Sequence, residues 1–268
     1  MDQNMKALRT IRDAKLSVQH YLVDLQNFCV VKIVTFGFKS IKGKSPLQRL
    51  GSSYGGWFIP KDEILENFKS KLLISVGLGH DVTFDKLLLD RNFTVLGLDP
   101  IEECVDYAKS QLGSRNVTLL KCGLSTFSGT QTFYPPKNSE HDAWSSTNAQ
   151  NVSTQKAKTF EVICLEDLYS KYCQEKHDFL ILKMDIEGGE EAILHNFNLV
   201  SHAIEMLAVE MDFLSLLPFR SLTRRVAKIR SARIILQRLR HGGFHFVHSE
   251  GFNFFWLHES FSEKLIHA

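Results

Sequence analysis

Apolar residues along this chain follow two periods, and the switches between them mark the elements. Met5, Leu8, Ile11, Ala14, Val18, Leu22, Leu25 and Cys29 recur at helical steps, with Lys and Arg between the earlier ones. That spacing predicts an amphipathic helix over the first two-thirds of residues 5–36. From Val30 to Phe36 the β-branched residues fit a strand equally well. Gly51 to Pro60 reads as a loop leading towards the first strand. Leu72 to Val76 is an apolar run bounded by Lys71 and Gly77, the pattern of a buried parallel strand. After Gly77-Leu78-Gly79, Thr83 to Asp90 has helical spacing in Phe84, Leu87 and Leu88, with Thr83 placed to cap it. Phe93 to Leu98 is a second apolar run, and it ends on Asp99.

Further along, Ile101, Val105, Ala108 and Leu112 share one face of a helix stopped by Gly113. Asn116 to Lys121 makes a third strand, and Phe127 to Phe133 around Ser128-Gly129 predicts a hairpin. Residues 135–158 are polar and rich in Ser and Asn. So long a connection is either functional or without fixed structure; Trp144, joined by His141 and Asp142, fits a loop laid over a ligand. An extended run and a short helix lead to the apolar strand Phe179 to Met184, with Asp185 at its carboxyl end and Gly188-Gly189 opening the next helix. Ile204 to Glu210 is another strand. Leu222, Val226, Ile229, Leu236 and Leu239 mark one face of a helix from about Ser221 to His241, and Phe244 to Phe255 closes the pattern as a hairpin around Glu250-Gly251. Strands alternating with helices predict an α/β fold built on a doubly wound sheet over residues 51–268. A basic helical extension, residues 1–50, precedes it.

Strand, glycine turn, helix, strand and acid, from Lys71 to Pro100, form a βαβ unit suited to a nucleotide-like cofactor. Glycine lets the main chain approach a ligand, and Asp99 can accept both hydroxyls of a ribose. A dinucleotide needs a third glycine where Val82 stands, and Asp81 would set a negative charge beside its phosphates. S-adenosylmethionine has no phosphates and fits better than NAD; a purely structural turn is the third reading. Gly123 and Leu124 follow the third strand, where an adenine ring would lie, with Ser125 in place of the acid many adenine sites carry. Tyr54 and Trp57, separated by two glycines, read either as aromatics held at a site or as a plug closing the domain.

Charge changes this picture little. The net charge is +2, but residues 1–50 hold nine Lys and Arg against three Asp. Such an arm suits a solvated helix face, and contact with a membrane surface, glycolipid or nucleic acid stays open. Arg224, Arg225, Lys228, Arg230, Arg233, Arg238 and Arg240 line the late helix without interleaved aromatics, which speaks against RNA. Five cysteines lie scattered without paired spacing, as in a reducing compartment. The start lacks the pattern of a signal peptide, and the apolar run Phe28 to Phe38 is too short to span a bilayer. A cytoplasmic protein is expected.

The segment Lys183-Met-Asp-Ile-Glu-Gly-Gly-Glu190 resembles the K-x-D-x-E-G-x-E signature of the FkbM family of S-adenosylmethionine-dependent methyltransferases. Ser75 to Asp85 resembles motif I of one branch of that family, and Tyr54-Gly-Gly-Trp57 and Asp142-Ala-Trp-Ser145 look like the same branch. The commoner D-V-G-A-N-x-G form is absent, with Ser75 where its first Asp would be. The resemblance implies a class I methyltransferase fold, Rossmann-like, with seven strands of which the last is antiparallel. It also implies S-adenosylmethionine as cofactor and O-methylation of a sugar, glycan or other small hydroxylated acceptor. Gly77, Leu78, Gly79, Asp99, Pro100, Gly123 and Leu124 are the expected cofactor residues. Asp185, Glu187 and then His80 are candidates for taking the acceptor proton; Tyr54, Trp57, Trp144 and Glu210 are the expected substrate contacts. Glu190 completes the acidic motif, or simply complements a helix N-terminus with Glu187. These acids could also hold a divalent ion through oxygen alone, but His177 and His195 do not fall at ligand spacing and no metal residue is assigned.

Overall fold

A computed structural model describes residues 25–38, 46–136, 144–146, 154–196, 204–214 and 222–261. In chain order, residues 25–35 form helix α1, followed by β1 (Leu47–Leu50), β2 (Trp57–Pro60) and α2 (Asp62–Leu65). Next come β3 (Lys71–Val76), α3 (Thr83–Leu89), β4 (Phe93–Leu98), α4 (Glu102–Leu112) and β5 (Val117–Leu120). Then β6 (Gly123–Ser125), β7 (Gly129–Phe133), β8 (Lys158–Cys164) and α5 (Leu165–Tyr172) lead to β9 (Phe179–Met184) and α6 (Glu190–Asn196). The chain continues through β10 (Met206–Glu210), α7 (Leu222–His241), β11 (Phe244–Glu250) and β12 (Asn253–His258).

Seven strands form the main sheet in the order β11-β12-β10-β9-β3-β4-β5. β3 pairs in parallel with β4 and with β9, and β10 pairs in parallel with β9. β12 runs antiparallel between β10 and β11. This is the class I methyltransferase arrangement, with the last strand inserted against the direction of the others. Chain order reverses between β3 and β9, and that reversal opens a crevice beyond the carboxyl ends of the strands.

The apolar runs are strands because both faces of the sheet are covered. Leu72, Ile74 and Val76 of β3 join one core cluster with residues of α5, α6 and α7, while Leu73 points to the other with Trp57, Phe84 and Leu88. Every residue of β3 and β9 is buried, and each fully buried Leu, Ile or Val contributes about 1.5–3 kcal/mol. These two strands are therefore the most firmly fixed part of the sheet.

Several expectations change. Trp57–Pro60 is not loop but β2, paired antiparallel with β1, Leu50 opposite Trp57. The expected hairpin at 127–133 does not form, because β6 and β7 both pair with β8 in a separate three-stranded sheet, β6 in parallel and β7 antiparallel. The Phe133–Phe160 ring contact supplies the long-range packing that local turn signals cannot show. Residues 30–35 are helical, since Val34 is fully buried against the core and helical spacing brings Val30 and Val31 beside it. On α7 the packed residues are Ala232, Ile235, Leu236 and Leu239, whereas Val226 is 56% exposed. The α7 cations are partly structural: Arg233 donates to the carbonyls of Ile33 and Phe36 at the end of α1, Lys228 pairs with Glu191, and Arg238 donates to the His195 carbonyl. Among the described residues no helix is long and apolar enough to cross a membrane. Residues 1–24 of the expected arm, and His141 and Asp142, lie outside the described residues.

Candidate functional site

The cleft at the carboxyl ends of the strands has a volume of ≈ 750 Å³, within the range of small-molecule sites. Tyr54, Trp57, Gly77, Leu78, Gly79, His80, Asp99, Pro100, Gly123, Leu124, Trp144, Asp185, Glu187 and Glu210 all line it. Residues separated by up to 156 positions thus share one cavity because parallel strands put all their carboxyl ends on one edge.

The turn after β3 is held from below. Gly77 has φ +79°, and a Cβ placed on it would lie 1.7 Å from the carbonyl oxygen of Asp185. Its glycine is needed for the close approach of β3 and β9, not only for a ligand. Gly79 differs: φ is +53°, but a Cβ there would meet nothing within 4 Å. Asp99 fastens the turn, its Oδ2 accepting the N–H groups of Leu78 (3.0 Å) and Gly79 (3.2 Å), and its Oδ1 the Ile101 N–H (2.8 Å). Burial raises the Asp99 pKa even though these bonds favour the anion. A carboxylate has about four acceptor positions, and these three bonds occupy most of them.

Asp81, and not Thr83, organises the start of α3. Its Oδ1 accepts the backbone N–H (3.0 Å) and hydroxyl (2.6 Å) of Thr83, while Oδ2 accepts the Gly55 N–H (3.2 Å) and the Ser52 hydroxyl. Burial acts to raise its pKa, but these bonds outweigh it and hold the carboxyl below the ordinary value. The same bonds clamp the loop bearing Tyr54 and Trp57 onto the glycine turn. Trp57 is both site wall and plug: it is 3% exposed, meets Phe255 edge-on at 6.0 Å between ring centroids, and gives its face to the Lys183 ammonium at 5.4 Å.

Lys183 lines the cleft, a position that the acidic motif contains but that the sequence did not single out. Its Nζ donates to the Gly77 carbonyl (2.6 Å), and it offsets part of the burial cost of the Asp85 carboxylate on α3. It carries a positive charge to the foot of a strongly acidic wall. There Asp185 and Glu187 follow β9, Glu210 ends β10, Asp212 lies two residues beyond, and Glu190 opens α6. Burial, then the Asp185 charge, raises Glu187 to about 7. Burial and the neighbouring carboxylates push Glu210 and Asp212 each to about 9, with Lys183 opposing the rise at Glu210. Glu190 is fully buried and is also raised well above the ordinary range, by burial first. Its Oε1 accepts the Ile186 N–H at 2.7 Å, so it caps this turn from within instead of facing solvent at the helix end.

Glu187 sits in the left-handed region at φ 56°, a backbone state that costs a non-glycine residue roughly 1–2 kcal/mol. The Ser145 hydroxyl donates to its carbonyl at 2.6 Å. That bond, with the Tyr134–Ser145 bridge, places Trp144 at the cleft, where it packs edge-on against Phe160. Tyr54 is 91% exposed at the rim; crowding of its hydroxyl, and then the charges of Asp185, Glu187, Glu210 and Asp212, raise its pKa. His80 is exposed and packs against Tyr107 of α4, 5.2 Å between centroids, on the side of the glycine turn. Ser125 does not line the cleft; its hydroxyl donates to Gln131 Oε1 at 2.7 Å. Tyr107, Asp85 and Asn253 line the cleft without having been singled out, because only the packed fold shows which face of each element they occupy.

Solved structures with a similar fold include a candidate caffeoyl-CoA O-methyltransferase from Staphylococcus aureus, at 11% identity and a TM-score of 0.40, covering 74% of this chain and 80% of that one. An O-methyltransferase from Bacillus cereus, in complex with SAH, has 13% identity and a TM-score of 0.37 over 72% of this chain and 74% of its own. The fibrillarin pre-rRNA processing protein of Methanococcus jannaschii has 14% identity and a TM-score of 0.36 over 82% and 87%. No curated protein matches the sequence. The family rests on the sequence match and not on these likenesses: residues 60–246, the greater part of the chain, match the methyltransferase FkbM domain, and the chain belongs to that family.

Proposed function

We propose that this protein transfers a methyl group from S-adenosylmethionine to a hydroxyl oxygen of a sugar, glycan or other small hydroxylated molecule. One observation carries the reading: a single cleft joins an Asp99-fastened glycine turn to a wall of half-buried carboxylates. The residues present fit the cofactor. Gly79 leaves open space where a side chain would stand, and Asp99 keeps one acceptor position. Gly77, Leu78, Pro100, Gly123 and Leu124 would complete the walls around it. When bound, S-adenosylmethionine supplies an electrophilic methyl group on a sulfonium.

The chain's own residues then hold the acceptor and handle its proton. Trp144, Trp57 and Tyr54 offer flat faces against which a sugar or similar ring can be positioned, and positioning alone supplies several kcal/mol of a barrier reduction. Glu187, with a pKa of about 7, is suited to accept the hydroxyl proton near neutral pH, and Asp185 stands beside it. His80 is the weaker candidate, since its ring packs on Tyr107 and the acids follow β9 and β10. NAD remains disfavoured because Asp81 keeps its carboxyl ionised beside the turn.

Calorimetric titration with S-adenosylhomocysteine, beside NAD, tests the cofactor. The expected result is micromolar binding of the first and none of the second. NAD binding, or no binding of either, overturns the reading. An acceptor screen over sugars and glycolipids follows, with methyl ethers as the expected products.

A further inference from the structure

One face of the molecule takes no part in the cleft. On α1, Val30, Val31 and Val34 pack against the core. Leu25, Phe28, Ile33 and, just past the helix end, Phe36 occupy the opposite side and are exposed, Phe28 at 58% and Phe36 at 78%. A helix that is apolar all round belongs in an interior. α1 runs beside α7 in the same direction: Gln26, Asn27 and Val30 line a small crevice with Arg225, Lys228 and Ile229, and the carbonyls of Ile33 and Phe36 take Arg233. α7 adds Val226 and Ile234 to the exposed apolar residues. These two helices thus carry most of the large apolar side chains that the described residues expose. Exposure gathered in this way marks an interaction surface, whereas scattered single residues would not.

We infer that this α1–α7 face docks on an anionic phospholipid bilayer, lying on its surface without crossing it. Charge complementarity decides the occupant. Residues 25–38 hold one Lys, residues 222–241 hold seven Lys and Arg, and neither segment holds an Asp or Glu. Three of these cations are engaged within the fold: Lys228 by Glu191, Arg233 by the α1 carbonyls and Arg238 by the His195 carbonyl. Lys32, Arg224 and Arg230 are exposed among the apolar residues. The Lys32 ammonium stands 5.2 Å from the centroid of the Phe28 ring. Its stem can follow that ring into the lipid boundary while the charge stays with a head group. Phe and Leu on a helix face, flanked by Lys and Arg, are the composition of an interfacial surface, and each such cation is drawn to an anionic leaflet. A second copy of this chain would cover the apolar residues, but an isologous contact would bring the same cations towards their own counterparts. Docking of a bilayer here does not rest on the proposed methyl transfer.

The test is cosedimentation of the full chain with vesicles of phosphatidylcholine and phosphatidylserine, about 3:1, beside vesicles of phosphatidylcholine alone. The protein should pellet with the first and stay in solution with the second, and salt at about 1 M should weaken the pelleting. Phe28→Ser combined with Phe36→Ser should weaken binding about tenfold or more. Arg224→Gln combined with Arg230→Gln should weaken it about fivefold or more. All four positions are exposed, so both double variants should melt with the wild type, which separates lost docking from misfolding. No pelleting with either vesicle overturns the inference, as does equal pelleting with both, or binding that survives both variants. Sedimentation velocity without lipid covers the second copy: a dimer that the double Phe variant dissolves, in a protein that takes up no vesicles, overturns it too.

Discussion

Two glycines in one turn should respond oppositely to the same substitution. For Gly77→Ala, the backbone at φ +79° costs about 1–2 kcal/mol. The new methyl must also escape a carbonyl oxygen 1.7 Å away, so β3 and β9 have to separate by more than an ångström where Asp185 N–H bonds the Val76 carbonyl at 3.0 Å. Overpacking of this kind costs about 1–3 kcal/mol. Weakening that bond and the Lys183 bond to the Gly77 carbonyl adds about 1 kcal/mol or more. The total, about 3–6 kcal/mol, is a large part of the 5–15 kcal/mol typical of a folded protein, and predicts a melting temperature lower by roughly 6–24 °C. Gly79→Ala pays only the backbone cost of about 1 kcal/mol, because its methyl meets no atom within 4 Å. Its loss should instead appear in binding, as weaker affinity for S-adenosylhomocysteine. Thermal melting and calorimetric titration of both variants decide the matter. A Gly77→Ala protein within 1 kcal/mol of wild type would refute the close-approach argument, and unchanged ligand affinity in Gly79→Ala would refute the placement of the cofactor over this turn.

Asp99→Asn should lose ligand binding and also cost about 2–4 kcal/mol, because an amide cannot accept all three N–H bonds that hold the turn; urea denaturation measures it. Trp57→Ala, at 3% exposure, should cost about 3–5 kcal/mol in the same assay. The folded pKa of Asp81 is depressed, so its stabilisation is present above the ordinary carboxylate pKa of about 3.9 and is lost as pH falls below it. The melting-temperature gap between wild type and Asp81→Ala should accordingly be constant at neutral pH and close below about pH 4. Arg233→Ala removes the donor from the carbonyls of Ile33 and Phe36; limited proteolysis should then cut within residues 25–38 faster, with the main domain unchanged.

The β3–α3–β4 unit, the β9 strand with its acidic motif and the closing hairpin were legible in the sequence, because each depends on a local period and a nearby turn signal. Glycine spacing and the K-x-D-x-E-G-x-E run were enough to name part of the cleft lining, Gly77, Gly79, Asp99, Asp185 and Glu187, since parallel strands leave no choice about which edge their carboxyl ends occupy. Where a partner strand lies far along the chain, the local signal misled: β7 looks like half of a hairpin at 127–133 yet pairs with β8. Trp57 looked like loop because its β1 partner has no strong pattern of its own. Only the tertiary structure decided that Gly77 serves strand packing and Gly79 faces open space, that Asp99 spends most of its acceptor capacity on backbone, and that Asp212 and Glu190 converge on Asp185 and Glu187. Spacing along a chain fixes which face a residue takes within its own element. The distance between side chains on different elements is set by how those elements pack, and the chemistry of this acidic wall depends on that distance.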